Sequence, residues 1–269
     1  MYNSKEDTIL TIFYDHRSLG GLITHCIKPF INKSLDEGTL LKYYIYIGTL
    51  TGDHITVSFK PHYLEKKLSI EAERYLCINP SQKHDLHISD NGLFEYPSNS
   101  VWFNIDHPYF FIDNKNSIDI DQQISYLIID ALGNVEIDLE AIYTFVIYMQ
   151  LGIIKAAYPV INDAYKGVEV LLEHLNFLQN SSNTSEKNNS LFDTNEEILK
   201  EIIKEIWYEN SLEVVWLNIW ISTCEKVLTR EKFDHAFVLL SEIIYEHTGL
   251  NKKNMVDLSR QMLLVSINN

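Results

Sequence analysis

His54, Thr56, Ser58 and Lys60 stand on one face of the segment "HITVSF" and the lysine after it, while Ile55, Val57 and Phe59 take the other. This alternation is the period of a β-strand with one apolar face. An imidazole, two hydroxyls and an ammonium group in a row can accept, donate and relay protons, which is the work of general acid–base catalysis. On a sheet edge facing water the same groups are ordinary solvated polars, and the alternation alone leaves both readings open. Tyr44 and Tyr46, two apart in the preceding "LLKYYIYIGTL", add two phenolic donors to this surface if the two strands pair in matching register.

A second constellation lies in "YEHTGLNKKN", residues 245 to 254, where His247 and Asn251 are four apart and Gly249 interrupts the turn. These residues form either a helix C-cap with surface polars or an imidazole and an amide carried over the polar strand face. In the second case the first and last quarters of the chain share one pocket. Gly20-Gly21, at the start of a helix, either receives an anion or allows close packing. His84 and His87, three apart in an expected strand, fall on opposite faces and do not share a metal. The chain has no Gly-rich phosphate loop, no Gly-x-Ser-x-Gly elbow, no His-Glu-x-x-His helix and no Cys-x-x-Cys pair.

The elements that must position these groups begin with a strand in "TILTIFYD" (8–15). A helix follows in "SLGGLITHCIKPFINKSL", with apolar residues at Leu19, Leu22, Ile23, Cys26, Ile27 and Phe30. "LLKYYIYIGTL" and "HITVSF" then form a hairpin across "TGD", where Gly52 supplies the positive backbone angle, so the opening is β-α-β-β. "HDLHI", "GLFEYPS" and "SVWFNIDHPYFFID" predict further short strands between about 84 and 113, broken by Pro97 and Pro108. From Ile118 the pattern is helical. One helix ends at Gly133, and another starts from an Asp138 cap and closes at Pro159. Residues 179–190 contain only polar groups and read as an exposed loop. Thr194 with Glu197 has the capping-box form and opens one long amphipathic helix or two successive ones. Helices near 229–246 and 252–266 finish the chain. The expected fold is α+β: an N-terminal β-α-β-β mixed sheet followed by a mainly helical C-terminal half packing on it. It is read as a single unit over 1–269, with 1–116 mainly sheet and 117–269 mainly helical.

Composition narrows the function. With 269 residues and 46% apolar content the chain can bury a sizeable core. Its formal charge of −15 repels polyphosphates and argues against nucleic-acid binding. The only arginines are Arg17, Arg74, Arg230 and Arg260, too few for a site built on several bidentate carboxylate or phosphate clamps. No stretch approaches a membrane helix and the start lacks a signal peptide, so a cytoplasmic protein without a membrane partner is expected. Cys26, Cys77 and Cys224 are far apart and support neither a disulfide framework nor a zinc motif.

"ILTIFYDHRSLGGLITHCIKPFI", "LKYYIYIGTLTGDHITVSF" and, far downstream, "HTGLN" resemble elements of the C-terminal, glutamate-eliminating part of class I lantibiotic dehydratases. They equally resemble the related stand-alone thiopeptide-type bacteriocin biosynthesis proteins. The similarity covers about 60 residues at the front and a dozen at the back. Where the eliminating enzymes carry a His-x-Arg-x-Arg strand, this chain has His54-x-Thr56-x-Ser58, followed on that face by Lys60. Arginines of that kind would bind glutamyl carboxylates, so their replacement points to relatives that handle a substrate without glutamate.

Pyridine synthases of thiopeptide biosynthesis are such relatives. They join two dehydroalanines and a neighbouring amide in a formal [4+2] cycloaddition, then lose water and the leader peptide. The resemblance thus implies a peptide-tailoring enzyme with His54, Tyr46 and His247 as catalytic donors or proton shuttles. Tyr44, Thr56, Ser58, Lys60 and Asn251 would line the site and Arg17 would supply a further substrate-binding cation. It implies no metal and no cofactor, and as partners a modified precursor peptide with its leader and other enzymes of the same pathway. Two alternatives stay open. One is a glutamate-elimination subunit of a split dehydratase in which Lys60 and Arg17 bind the carboxylate. The other is a non-catalytic scaffold that binds a leader peptide by strand addition.

Overall fold

The computed structural model describes residues 8–48, 52–81, 96–105, 120–132, 139–180, 196–208, 215–229 and 233–250. They divide into two compact units, the first comprising 1–145 with 246–249 and the second 146–245 with 250–269.

The first unit is built on a four-stranded sheet of β1 (Leu10–Phe13), β2 (Lys42–Gly48), β3 (His54–Lys60) and β4 (Ser100–Phe103). The strand order is β2-β3-β1-β4 and every neighbouring pair is antiparallel. Between β1 and β2 runs a helical stretch of α1 (Leu19–Leu22), a π-helical turn (Ile23–Ile27) and α2 (Lys28–Asp36). The expected β-α-β-β opening is therefore present, and Gly52 has a φ of 105° as the hairpin requires.

One sheet face is apolar because β-strand periodicity puts Leu10, Ile12, Ile45, Ile55, Val57 and Phe59 on the same side, all fully buried. Helix α3 (Leu64–Ile78) packs on β1, β3, β4 and the π turn, and α4 (Ile120–Leu132) packs on β2. Leu64, Leu68, Ala72 and Leu76 recur every fourth position of α3 and are buried, an apolar stripe suited to such packing. A Cβ on Gly21 would sit 2.7 Å from the Tyr75 hydroxyl, so this glycine permits close packing of α1 and α3.

The second unit consists of helices. It takes in most of α5 (Leu139–Ala157), then α6 (Ala164–Asn180), α7 (Glu196–Tyr208), α8 (Val215–Leu228) and most of α9 (Phe233–Thr248). Its interior includes Ile154, Leu171, Ile203, Ile206, Leu217, Trp220, Phe237 and Leu240. Trp220 donates its indole N–H to Met149 O at 2.8 Å, which satisfies the one polar atom of a fully buried ring. Gly152 leaves the room that this ring occupies.

The fold is thus α+β, a four-stranded antiparallel sheet with helices followed by a mainly helical second half. The long pattern after residue 194 resolves into two helices, α7 and α8. Two elements have no counterpart in the sequence-based expectation, α3 and α6. The expected strands near 84–95, the helix at 252–266, Gly133, Asp138, Thr194 and most of the loop 179–190 lie outside the described residues. Among the described residues no single helix is long and apolar enough to cross a membrane.

Candidate active site

The hairpin register decides which side chains meet. Tyr44 faces Ser58, Tyr46 faces Thr56 and Gly48 faces His54, while on the other side of β3 Thr11 faces Thr56 and Phe13 faces His54. Directly opposed residues share a sheet face, so both tyrosines lie on the same surface as the polar row. That surface is not solvated along most of its length. His54 is 2% exposed, Thr56 0% and Ser58 8%, and only Lys60 at the end of β3 is exposed. The solvated-edge reading of 54–58 is therefore overturned.

His54 Nδ1 lies 2.7 Å from Gly52 O. A carbonyl only accepts, so Nδ1 carries the hydrogen and Nε2 is the acceptor nitrogen of the neutral ring. Burial holds this imidazole below its ordinary pKa, and the Gly52 hydrogen bond and the Asp53 charge oppose that shift. The ring lies over Gly48, where a Cβ would come within 2.2 Å of Nε2, and the Phe13 ring stands 5.1 Å away. Next along the face, the hydroxyls of Thr56 and Thr11 meet at 3.3 Å, both residues fully buried. A neutral base and hydroxyls in a water-poor setting can move protons and donate hydrogen bonds to a developing oxyanion or iminol.

His247 joins this surface from the end of α9. Its Nδ1 donates to Ile45 O at 2.6 Å, its Nε2 is 3.2 Å from Asp121 Oδ1 on α4, and its ring stacks on Tyr46 with centroids 4.1 Å apart and planes 18° off parallel. Strand β2 is an edge strand, and its outward-pointing backbone at Ile45 is satisfied by His247 and by Ser125, whose Oγ accepts the Ile45 N–H at 2.9 Å. Gly249 makes this seating sterically possible. Its φ is 67°, and a Cβ there would lie 2.4 Å from Ile47 O. The segment 246–249 thus lies on β2, and the first and last quarters of the chain do meet.

Tyr46, His54, Thr56 and Ser58 occupy one face and His247 abuts Tyr46, while Tyr44 is half-buried beside Ser58. Lys60 and Arg17 stand apart. Arg17 is exposed in the turn after β1, beyond the strand end that pairs with His54, and Lys60 closes the opposite end of β3. Six residues of strand separate His54 from Lys60, about 20 Å at 3.3 Å per residue. Asn251 lies outside the described residues.

Sequence reasoning missed two features. Phe13 stacks on Tyr96 at 4.7 Å and Tyr96 meets Trp102 at 5.3 Å, an aromatic series leading away from His54. Trp102 is 42% exposed, and its indole N–H is taken by Ser100 Oγ at 2.8 Å. The alternation of Ser100 and Trp102 in "SVWF" was the available signal. The other is Asp121, for which nothing local gave a signal. Among the described residues no group of His, Cys, Asp or Glu could hold a metal ion. Burial pushes the Cys26 thiol up to about 12 and the Cys224 thiol well above its ordinary value, so neither supplies a thiolate near neutral pH.

No protein-family model matches this chain, and no curated protein matches it. Its architecture, however, is that of a solved structure. The pyridine synthase TbtD from thiomuracin biosynthesis superposes with a TM-score of 0.66 at 13% identity, over 98% of this chain and 98% of that one. The two chains share one fold across nearly their whole lengths.

Proposed function

We propose that the protein is a tailoring enzyme of ribosomally made peptides that forms a pyridine-type ring and macrocycle from two dehydroalanines. The observation that carries this reading is the buried row of neutral donors and acceptors on β1, β2 and β3, which has no arginine on it. The shared fold with a pyridine synthase supports it.

In the proposed reaction one dehydroalanine and the adjoining amide, as its iminol tautomer, form the four-atom component, and the second dehydroalanine forms the two-atom component. Two new bonds close a six-membered nitrogen ring. Loss of water from the former amide carbon and of the leader as an amide then aromatises it. His54 Nε2 accepts the amide proton during tautomerisation. Tyr46 and the threonine hydroxyls hydrogen-bond the iminol oxygen and return a proton to the departing hydroxyl. His247 acts on this face through Tyr46. No step requires a cofactor. The separation of Lys60 from Arg17 disfavours a shared carboxylate site for glutamate elimination.

The test is intact-mass spectrometry of a dehydrated precursor peptide incubated with the protein alone. The expected result is release of a leader fragment and a core lighter by water. An unchanged peptide that still co-purifies with the protein would instead mark a binding module, and conversion of a glutamylated precursor to dehydroalanine would mark an eliminase.

A further inference from the structure

The sheet register carries the reactive face one strand beyond the residues already assigned. Trp102 on β4 faces Thr11 on β1, Thr11 faces Thr56 on β3, and Thr56 faces Tyr46 on β2, a single row across all four strands. Thr11 and Thr56 in the middle of this row are fully buried, while Trp102 keeps 42% of its surface in water. Tyr63, Phe103 and Tyr208 are also exposed aromatic side chains among the described residues. Phe103, however, is opposite Leu10 on the apolar face, and Tyr63 and Tyr208 lie off the sheet. A peptide that approaches the reactive face from the β4 side therefore meets Trp102 first.

A lone exposed apolar side chain needs no explanation, but this one is held in place. Its indole N–H is donated to Ser100 Oγ at 2.8 Å, and the Tyr96 ring meets it at 5.3 Å with planes 64° apart. Tyr96 in turn stacks on Phe13 at 4.7 Å and 21°, and Phe13 lies against His54. With its one polar atom engaged, the indole offers a ligand only π surface, and a surface fixed before binding loses little freedom on binding. Such a surface suits a flat ring, which stacks over its whole area, better than a saturated side chain of the same volume.

We propose that Trp102, backed by Tyr96, is a specificity-determining residue that receives a flat aromatic side chain of the peptide substrate. The proposal rests on the proposed function for the peptide and names the part of it that is read. Trp102 stands two strand spacings from Thr56, about 10 Å, which an extended chain covers in about three residues. The ring read at Trp102 therefore belongs about three positions from the reacting dehydroalanine.

Anisotropy titrations of the full chain with fluorescein-labelled, dehydrated precursor peptides test it. The peptides carry phenylalanine, cyclohexylalanine or lysine two to five positions either side of the reacting dehydroalanine. Phenylalanine and cyclohexylalanine match closely in size, and only the first is flat. The wild type is expected to bind the phenylalanine peptide about fivefold more tightly than the cyclohexylalanine peptide when the residue is about three positions out. Trp102→Leu should bring the two within about twofold, and Trp102→Phe should keep most of the preference. Equal binding by the wild type at every position overturns the proposal, and so does a preference that survives in Trp102→Leu. Tightest binding of the lysine peptide also overturns it, since Trp102 would then be a cation site. Should Trp102→Leu fail to fold, Trp102→Thr, a strand former, takes its place. Discrimination in binding with no peptide cyclised keeps the subsite and removes the assigned reaction, and cyclisation without discrimination does the reverse.

Discussion

Replacing Gly48 by alanine tests the placement of His54 without touching His54. The added methyl carbon would sit 2.2 Å from Nε2 and 2.4 Å from Cε1, inside any tolerable contact, so the imidazole must swing off Gly48. The backbone imposes no cost of its own, since Gly48 is not among the positive-φ glycines and alanine suits a strand better. The cost comes from the ring. It loses the 2.7 Å bond to Gly52 O and leaves a part-buried carbonyl and a buried imidazole to find new partners, about 1–3 kcal/mol together. A catalytic base displaced by about 1 Å costs roughly 100-fold in rate. Urea denaturation of Gly48→Ala, His54→Ala and the double variant forms a cycle, with mass-spectrometric initial rates alongside. With the ring gone the three atoms nearest the methyl are gone too, so Gly48→Ala should cost far less in the His54→Ala background. Equal losses of stability in the two backgrounds, or full activity of Gly48→Ala, would refute the reasoning.

Gly249→Ala should destabilise the protein by more than about 2 kcal/mol in the same denaturation assay, because it combines a left-handed φ with a clash on Ile47 O. It should also disturb the Tyr46 and His247 signals together. His54 binds its proton less readily folded than unfolded, so below the unfolded value of about 6.5 the unfolded chain takes up the proton first. The stability contributed by neutral His54 is therefore present above that pH and lost as pH falls towards the depressed folded value. His54→Gln should flatten this part of the stability–pH curve. Trp102→Leu should leave stability within about 0.5 kcal/mol, since the ring is partly exposed, yet weaken binding of a fluorescent precursor peptide about tenfold in anisotropy titrations. Unchanged binding would remove the aromatic series from the site.

Much of the framework was legible because it is written locally. Alternation at 54–60 specified a strand with a polar and an apolar face, and the β-α-β-β opening followed from side-chain period and a glycine turn. The stripe of Leu64, Leu68, Ala72 and Leu76 is equally local, so α3 is legible from its apolar spacing as well. Elsewhere the information was not local. The register that sets Tyr46 opposite Thr56 depends on how the hairpin closes and which face is buried, since a slip of one residue would reverse every side chain. Burial of His54 and Thr56, which separates a reaction surface from a wet sheet edge, is a property of the assembled chain.

His247 reaches Ile45 across 202 residues, and Asp121 reaches His247 across 126. Residue types along the chain determined that imidazoles, phenols and hydroxyls existed in strand and helix-end positions, and that arginine was scarce. Only tertiary structure decided which of them touch, which nitrogen carries a hydrogen and which polar groups lose their water. Hydrogen bonding and desolvation act over a few ångströms of space, whatever the separation along the chain.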